Sequence, residues 1–145
     1  MEEYIMIEYV KGKAMYAYIT SPNTRWNPPH KYEITVLTDD ETATRLEDIG
    51  IQQTRTKQGQ PRFDQPAFVF KKNSVKSTDN TPLPRPKLID ADGNALDTII
   101  GNGSDVVVKV KPYSFNGGTY GELIAVKVEN LVEYGEVPED DNEEF

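Results

Sequence analysis

At 145 residues the chain is long enough for one domain with its own core. It contains no cysteine, which removes disulfide frameworks, Cys-based zinc sites and thiol nucleophiles. Its formal net charge is −8, the opposite of what phosphate binding ordinarily requires, so everything turns on how the charge is distributed.

The N-terminus, "MEEYIMIEYVKGK", starts acidic instead of with a basic region and a long apolar run, and no stretch approaches the roughly 20 apolar residues of a membrane span. The expectation is a soluble, unprocessed protein with no membrane association. Period-2 alternation rich in β-branched and aromatic residues then predicts a strand from Ala14 to Thr20 and another from Lys31 to Thr38. The loop between them holds Arg25, Trp26, Pro28, Pro29 and His30, the only histidine of the chain. A helix follows: Thr38-Asp39-Asp40-Glu41 has capping-box spacing, Ala43, Leu46 and Ile49 recur at three-residue intervals, and Gly50 is a stop signal.

Residues Gln52 to Pro66 and Asn73 to Pro86 are polar, basic and interrupted by proline or glycine, which predicts two long loops around a strand from Ala67 to Lys72. Phe68 and Phe70 on that strand are assigned to the core. Asp90 to Asp97 reads as a hairpin turn. Its resemblance to a calcium loop fails on spacing, because the twelfth position is Gly101 where a bidentate glutamate is needed. Gly101 to Ser104 matches neither a dinucleotide fingerprint nor a P-loop and reads as a flexible turn. In the strand from Asp105 to Lys111, Val106, Val108 and Val110 share a buried face while Val107, Lys109 and Lys111 share the other. A last strand runs from Tyr120 to Tyr134, with Ile124, Val126 and Val128 directed inward. The fold class is therefore mainly β with one short surface helix.

Charge is sharply segregated along this layout. Residues Thr54 to Lys87 carry eight basic groups against two acidic ones, a local net of +6, whereas Gly135 to Phe145 carries six carboxylates and no cation. Without that tail the remainder stands at −2. No carboxylate pair or histidine arrangement meets the requirements of an active site, so an enzyme is not expected, and neither is a metal or cofactor. Aromatic residues next to cations supply the positive signal: flat faces for unstacked bases, with lysines tracking phosphates, suit single-stranded nucleic acid. Trp26 beside Arg25, Phe63 after Arg62, Phe68 and Phe70 before Lys71 and Lys72, and Tyr113 and Phe115 after Lys109 and Lys111 all offer that pairing.

An ordered set of segments resembles the single-stranded DNA-binding proteins of short-tailed phages, the gene 2.5 type of the T-seven group. They are "YAYITSPN" from Tyr16, "NPPHKYEITV" from Asn27, "FVFKKNSV" from Phe68, "LIDADGNALDTIIGNGSDVVVKVKPYSFN" from Leu88, "KVENLVEYG" from Lys127, and the acidic tail with Phe145 last. The resemblance implies an OB-fold-like five-stranded barrel over residues 1–134 and a disordered acidic tail over 135–145. It implies a protein of the host cell cytoplasm that coats single-stranded DNA without sequence preference. The roles implied are phage DNA replication, recombination, repair and strand annealing.

It also implies a homodimer, and a tail (Glu139, Asp140, Asp141, Glu143, Glu144 and Phe145) that recruits the phage DNA polymerase and primase-helicase and competes for the DNA groove. Tyr113 falls on the family's stacking-aromatic position, and Phe115 replaces a tryptophan there. Where the family has arginine after Asn-Pro, this chain has Pro29, and Lys31 is expected to make the phosphate contact instead. The expected DNA-binding set is Tyr113, Phe115, Trp26, Lys31, Lys71, Lys72, Lys109 and Lys111. The alternative reading is an OB-fold module for RNA or protein partners with no DNA role.

Overall fold

The computed structural model describes residues 7–25 and 28–133. Six strands and one helix follow in the order β1 (Glu8–Asn23), β2 (Lys31–Leu37), α1 (Asp40–Asp48), β3 (Ala67–Asn73), β4 (Lys87–Asp90), β5 (Asp105–Phe115) and β6 (Gly118–Asn130). They pair in the order β3-β2-β1-β5-β6-β4. A parallel contact between Lys71 of β3 and Glu122 of β6 closes the first five into a barrel, which removes their free edges. Strand β4 lies outside the closed ring, parallel to β6. Trp26 and the whole acidic tail, Glu139, Asp140, Asp141, Glu143, Glu144 and Phe145 included, lie outside the described residues.

The alternating strands do what their side chains require. Val10, Ile34, Val36, Phe68, Phe70, Val106, Val108, Val110, Leu123 and Val126 are fully buried and fill the barrel. Phe68 and Phe70 stack with ring centroids 6.5 Å apart, in the core as the sequence predicts. Two bulges change the phase of the alternation. In β1 the inward set runs Val10, Ala14 and then Ile19, because the register slips between Met15 and Tyr18, where Tyr16 adopts a φ of 50°. In β6 the register slips opposite Lys109 and Val110, so Leu123 is buried in place of Ile124. The expected inward position of Ile124 is thus corrected by one inserted residue, a feature that strict period-2 reading cannot contain.

The helix forms where expected, but its cap is Asp39 and not Thr38: the Asp39 carboxylate accepts from the Thr42 amide at 2.8 Å. That hydrogen bond holds the Asp39 carboxyl below its ordinary value. Ala43 and Leu46 join the core, and Arg45 reaches back to the Glu8 carboxylate and the Tyr9 carbonyl of β1. Beyond Gly50, Ile51 bridges to Thr119 at the start of β6, so the helix is tied to both β1 and β6.

The hairpin predicted over Asp90 to Asp97 is present. The Asp90 carboxylate accepts from the Asp92 and Asn94 amides, and Gly93 takes a φ of 88°. The turn from Gly101 to Ser104, expected to be flexible, is anchored at its two buried ends. The buried Ser104 hydroxyl donates to the Gly101 carbonyl at 2.8 Å and accepts from the Val132 amide at 2.8 Å, and a Cβ on Gly101 would collide with the Val132 carbonyl. The last strand ends at Asn130 and not at Tyr134, leaving Glu133 in a single bridge to Ile100.

Candidate nucleic-acid interface

The outward faces of β3, β5 and β6 meet at the seam that closes the barrel. A groove of about 710 Å³ lies there, lined by Lys31, Val69, Lys71, Lys72, Asn73, Ser77, Tyr113, Phe115, Tyr120, Gly121 and Glu122. Its aromatic wall is a β-hairpin. β5 and β6 pair through to Phe115 and Gly118 around a two-residue Asn116-Gly117 turn, with φ of 50° and 82°, the positive values a type I′ turn needs. Because side chains alternate, Tyr113 and Phe115 share the outward face of β5 with Lys109 and Lys111. Tyr113 pairs across the strands with Tyr120, ring centroids 5.8 Å apart.

These rings are not core. Tyr113 is 47% exposed, Tyr120 48% and Phe115 62%, which leaves flat apolar faces open to a ligand at the rim of a barrel whose interior is already filled. Partial burial, then the Glu122 carboxylate and the Tyr120 ring, push the Tyr113 phenol above its ordinary value, so it remains a neutral hydrogen-bonding ring at physiological pH.

The opposite wall is cationic. Lys31 faces Asn73 across the β2–β3 pair, and Lys71 faces Glu33 on one side and Glu122 on the other. Away from the groove, Lys13 holds Asp105 at 2.6 Å, Arg45 holds Glu8 at 3.2 Å, and Arg85 holds Asp97 at 3.3 Å. Among the described residues no ion pair engages Lys31, Lys71 or Lys72. Open aromatic faces opposite unneutralised ammonium groups can hold an extended polyanion whose bases are free to stack.

Of the residues proposed from the sequence, the structure brings together Tyr113, Phe115, Lys31, Lys71 and Lys72. Lys109 and Lys111 lie on the same outward face of β5 but do not line the groove; they sit opposite Ala125 and Glu122, further along the β5–β6 pair. Tyr120 and Glu122 escaped the sequence reading. Asn116-Gly117 between two alternating runs was the signal that would have found them, since a two-residue hairpin places Tyr120 opposite Tyr113.

Gly121 shapes the groove floor. A Cβ there would stand 2.7 Å from the buried Phe70 ring, so the close approach of β6 to β3 depends on a missing side chain. Gly121→Ala is expected to overpack the seam and cost about 1 to 3 kcal/mol of stability. Urea denaturation checks this, and an unchanged midpoint would mean that Phe70 can move aside freely.

No protein-family model and no curated protein sequence matches the chain. Solved structures do. Gp2.5, a single-stranded DNA-binding protein encoded by bacteriophage T7, superimposes with a TM-score of 0.64 at 21% identity, covering 97% of this chain and 96% of that one. The fold is that of phage single-stranded DNA-binding proteins. The protein of that class from bacteriophage Enc34 matches with a TM-score of 0.57 at 15% identity, covering 95% of this chain and 90% of its own. The same Enc34 protein in complex with single-stranded DNA matches at 0.59 and 14% identity, over 89% of both chains.

Proposed function

We propose that the chain binds single-stranded DNA without sequence preference. Bases stack on Tyr113, Tyr120 and Phe115, while Lys31, Lys71 and Lys72 hold the phosphates. The observation that carries this reading is the groove itself: three half-exposed rings on one hairpin face Lys31, Lys71 and Lys72, against the single carboxylate of Glu122 in the lining. The shared barrel fold supports it, because the neighbours with that fold are named for binding single-stranded DNA. Lys109 and Lys111 extend the positive face of β5 and are assigned a weaker, long-range part.

Counterion release makes such binding salt-dependent. The logarithm of affinity is expected to fall with the logarithm of salt by about 0.7 per phosphate contact. Lys31→Ala, Lys71→Ala and Lys72→Ala should each flatten that slope by about one such step. Titrations of a fluorescent oligonucleotide at several salt concentrations measure this, and slopes identical to the parent would remove these lysines from the phosphate path.

The proposed setting is phage DNA replication, with recombination, repair and strand annealing as further roles of a homodimer in the host cell cytoplasm. The six carboxylates of residues 135–145 carry most of the chain's net negative charge and are complementary to the groove's lysines. The tail is accordingly assigned to competition with DNA and, when displaced, to recruitment of replication proteins. Truncation before Gly135 is expected to tighten DNA binding most at low salt. Unchanged affinity there would leave the tail no competitive role.

A further inference from the structure

A second depression, of about 510 Å³, adjoins the groove and shares Val69 and Lys71 with it. It runs across the outward faces of β3, β2 and β1 toward the loop that follows the helix. Its far wall is aromatic. Tyr16 stands 6.4 Å from Phe63, centroid to centroid, and the Arg62 guanidinium lies 5.5 Å over the Phe63 ring. Tyr16 is 47% exposed because the β1 bulge turns it outward with a φ of 50°, and the Asn102 side chain fixes that bend by accepting from the Tyr16 amide at 2.7 Å. A non-glycine residue held in the left-handed region to present an aromatic ring at the surface is a costly arrangement for a position without a ligand. The lining also has the charge balance of the first groove: Arg25, Arg62 and Lys71 against the single carboxylate of Glu33.

We infer that this depression is a second nucleotide subsite, so that one single strand runs from the Tyr113 hairpin, over Lys71, to a platform made by Tyr16, Tyr18 and Arg62. The inference rests on the proposed binding of single-stranded DNA and adds the path and the footprint. Continuity through Val69 and Lys71 and the matching excess of cations favour more of the same strand over any other occupant. The loop from Gln52 to Pro66 becomes part of the binding surface: it places Arg62 at the depression, where its guanidinium is also held by the Thr54 hydroxyl at 3.2 Å.

The test is affinity against length, with oligo(dT) of about 4 and about 12 nucleotides, lengths within the range one barrel of this kind occupies. On this path a 4-mer engages the Tyr113 groove alone, whereas a 12-mer reaches both depressions. Tyr16→Ala and Arg62→Glu are each expected to weaken the 12-mer about tenfold while moving the 4-mer less than about twofold. Arg62 is an exposed loop residue, so its variant keeps the experiment decisive if the strained Tyr16 position does not tolerate alanine. Parent protein that binds the 12-mer, with both variants equal to it or weakened equally on both lengths, would overturn the second subsite alone. Failure of the parent to bind the 12-mer would overturn the proposed function, and this inference with it.

Discussion

Tyr113→Ala is expected to weaken binding of single-stranded DNA by about 1 to 3 kcal/mol, the usual loss of one base–aromatic stack. Tyr113 packs on Tyr120 at 5.8 Å and keeps nearly half its surface open, so alanine removes a stacking face without opening the barrel core. Its neutral phenol adds no charge to the groove, and the loss should therefore appear in affinity while the salt slope stays that of the parent. Tyr113→Phe keeps the ring and should bind almost normally. Fluorescence titration at fixed salt makes the comparison, and an alanine variant as tight as the parent would remove Tyr113 from the site.

Phe70→Ala is expected to cost about 3 to 5 kcal/mol of folding stability, a large share of the roughly 5 to 15 kcal/mol by which such domains are stable. Phe70 is fully buried, stacks on Phe68 and fills the space that Gly121 leaves open. Truncation would create a cavity under the β3–β6 seam, directly beneath the groove that Lys71 and Glu122 flank. The midpoint of urea denaturation should fall with little change in slope. A loss below about 1 kcal/mol would mean that the seam collapses around the vacancy, against the tight packing at Gly121.

Much of this architecture was legible in the sequence because it depends on alternation. Val106, Val108 and Val110 announce their buried face in a single run, and Phe68 and Phe70 do the same. The helix was legible from Ala43 and Leu46, but its cap was assigned one residue early. Thr38 and Asp39 both carry cap-competent side chains, and only the backbone decides which carboxylate or hydroxyl reaches the free amides. What escaped was each place where the strand period breaks. The bulge that turns Tyr16 outward and the one that buries Leu123 instead of Ile124 are single inserted residues, and alternation has no mark for them.

The candidate site divides along the same line. Tyr113, Phe115, Lys31, Lys71 and Lys72 converge, having been selected for residue type and local exposure. Tyr120, Glu122, Tyr16 and Arg62 join them only through strand pairing and loop placement across the barrel, which are non-local. The net charge of −8 would have argued against any polyanion ligand had it been read as a total. The groove lining sets Lys31, Lys71 and Lys72 against the single carboxylate of Glu122, so the local field at the groove differs from the molecular average.

The most direct measurement is a titration of the full chain with poly-dT, poly-U and duplex DNA at one moderate salt concentration. Open rings at a groove edge can stack only on unpaired bases, so poly-dT should bind far more tightly than the duplex, with affinity lost in Tyr113→Ala. Equal affinity for all three polymers would contradict the account, because it would leave binding to charge alone and the exposed aromatic wall without a part.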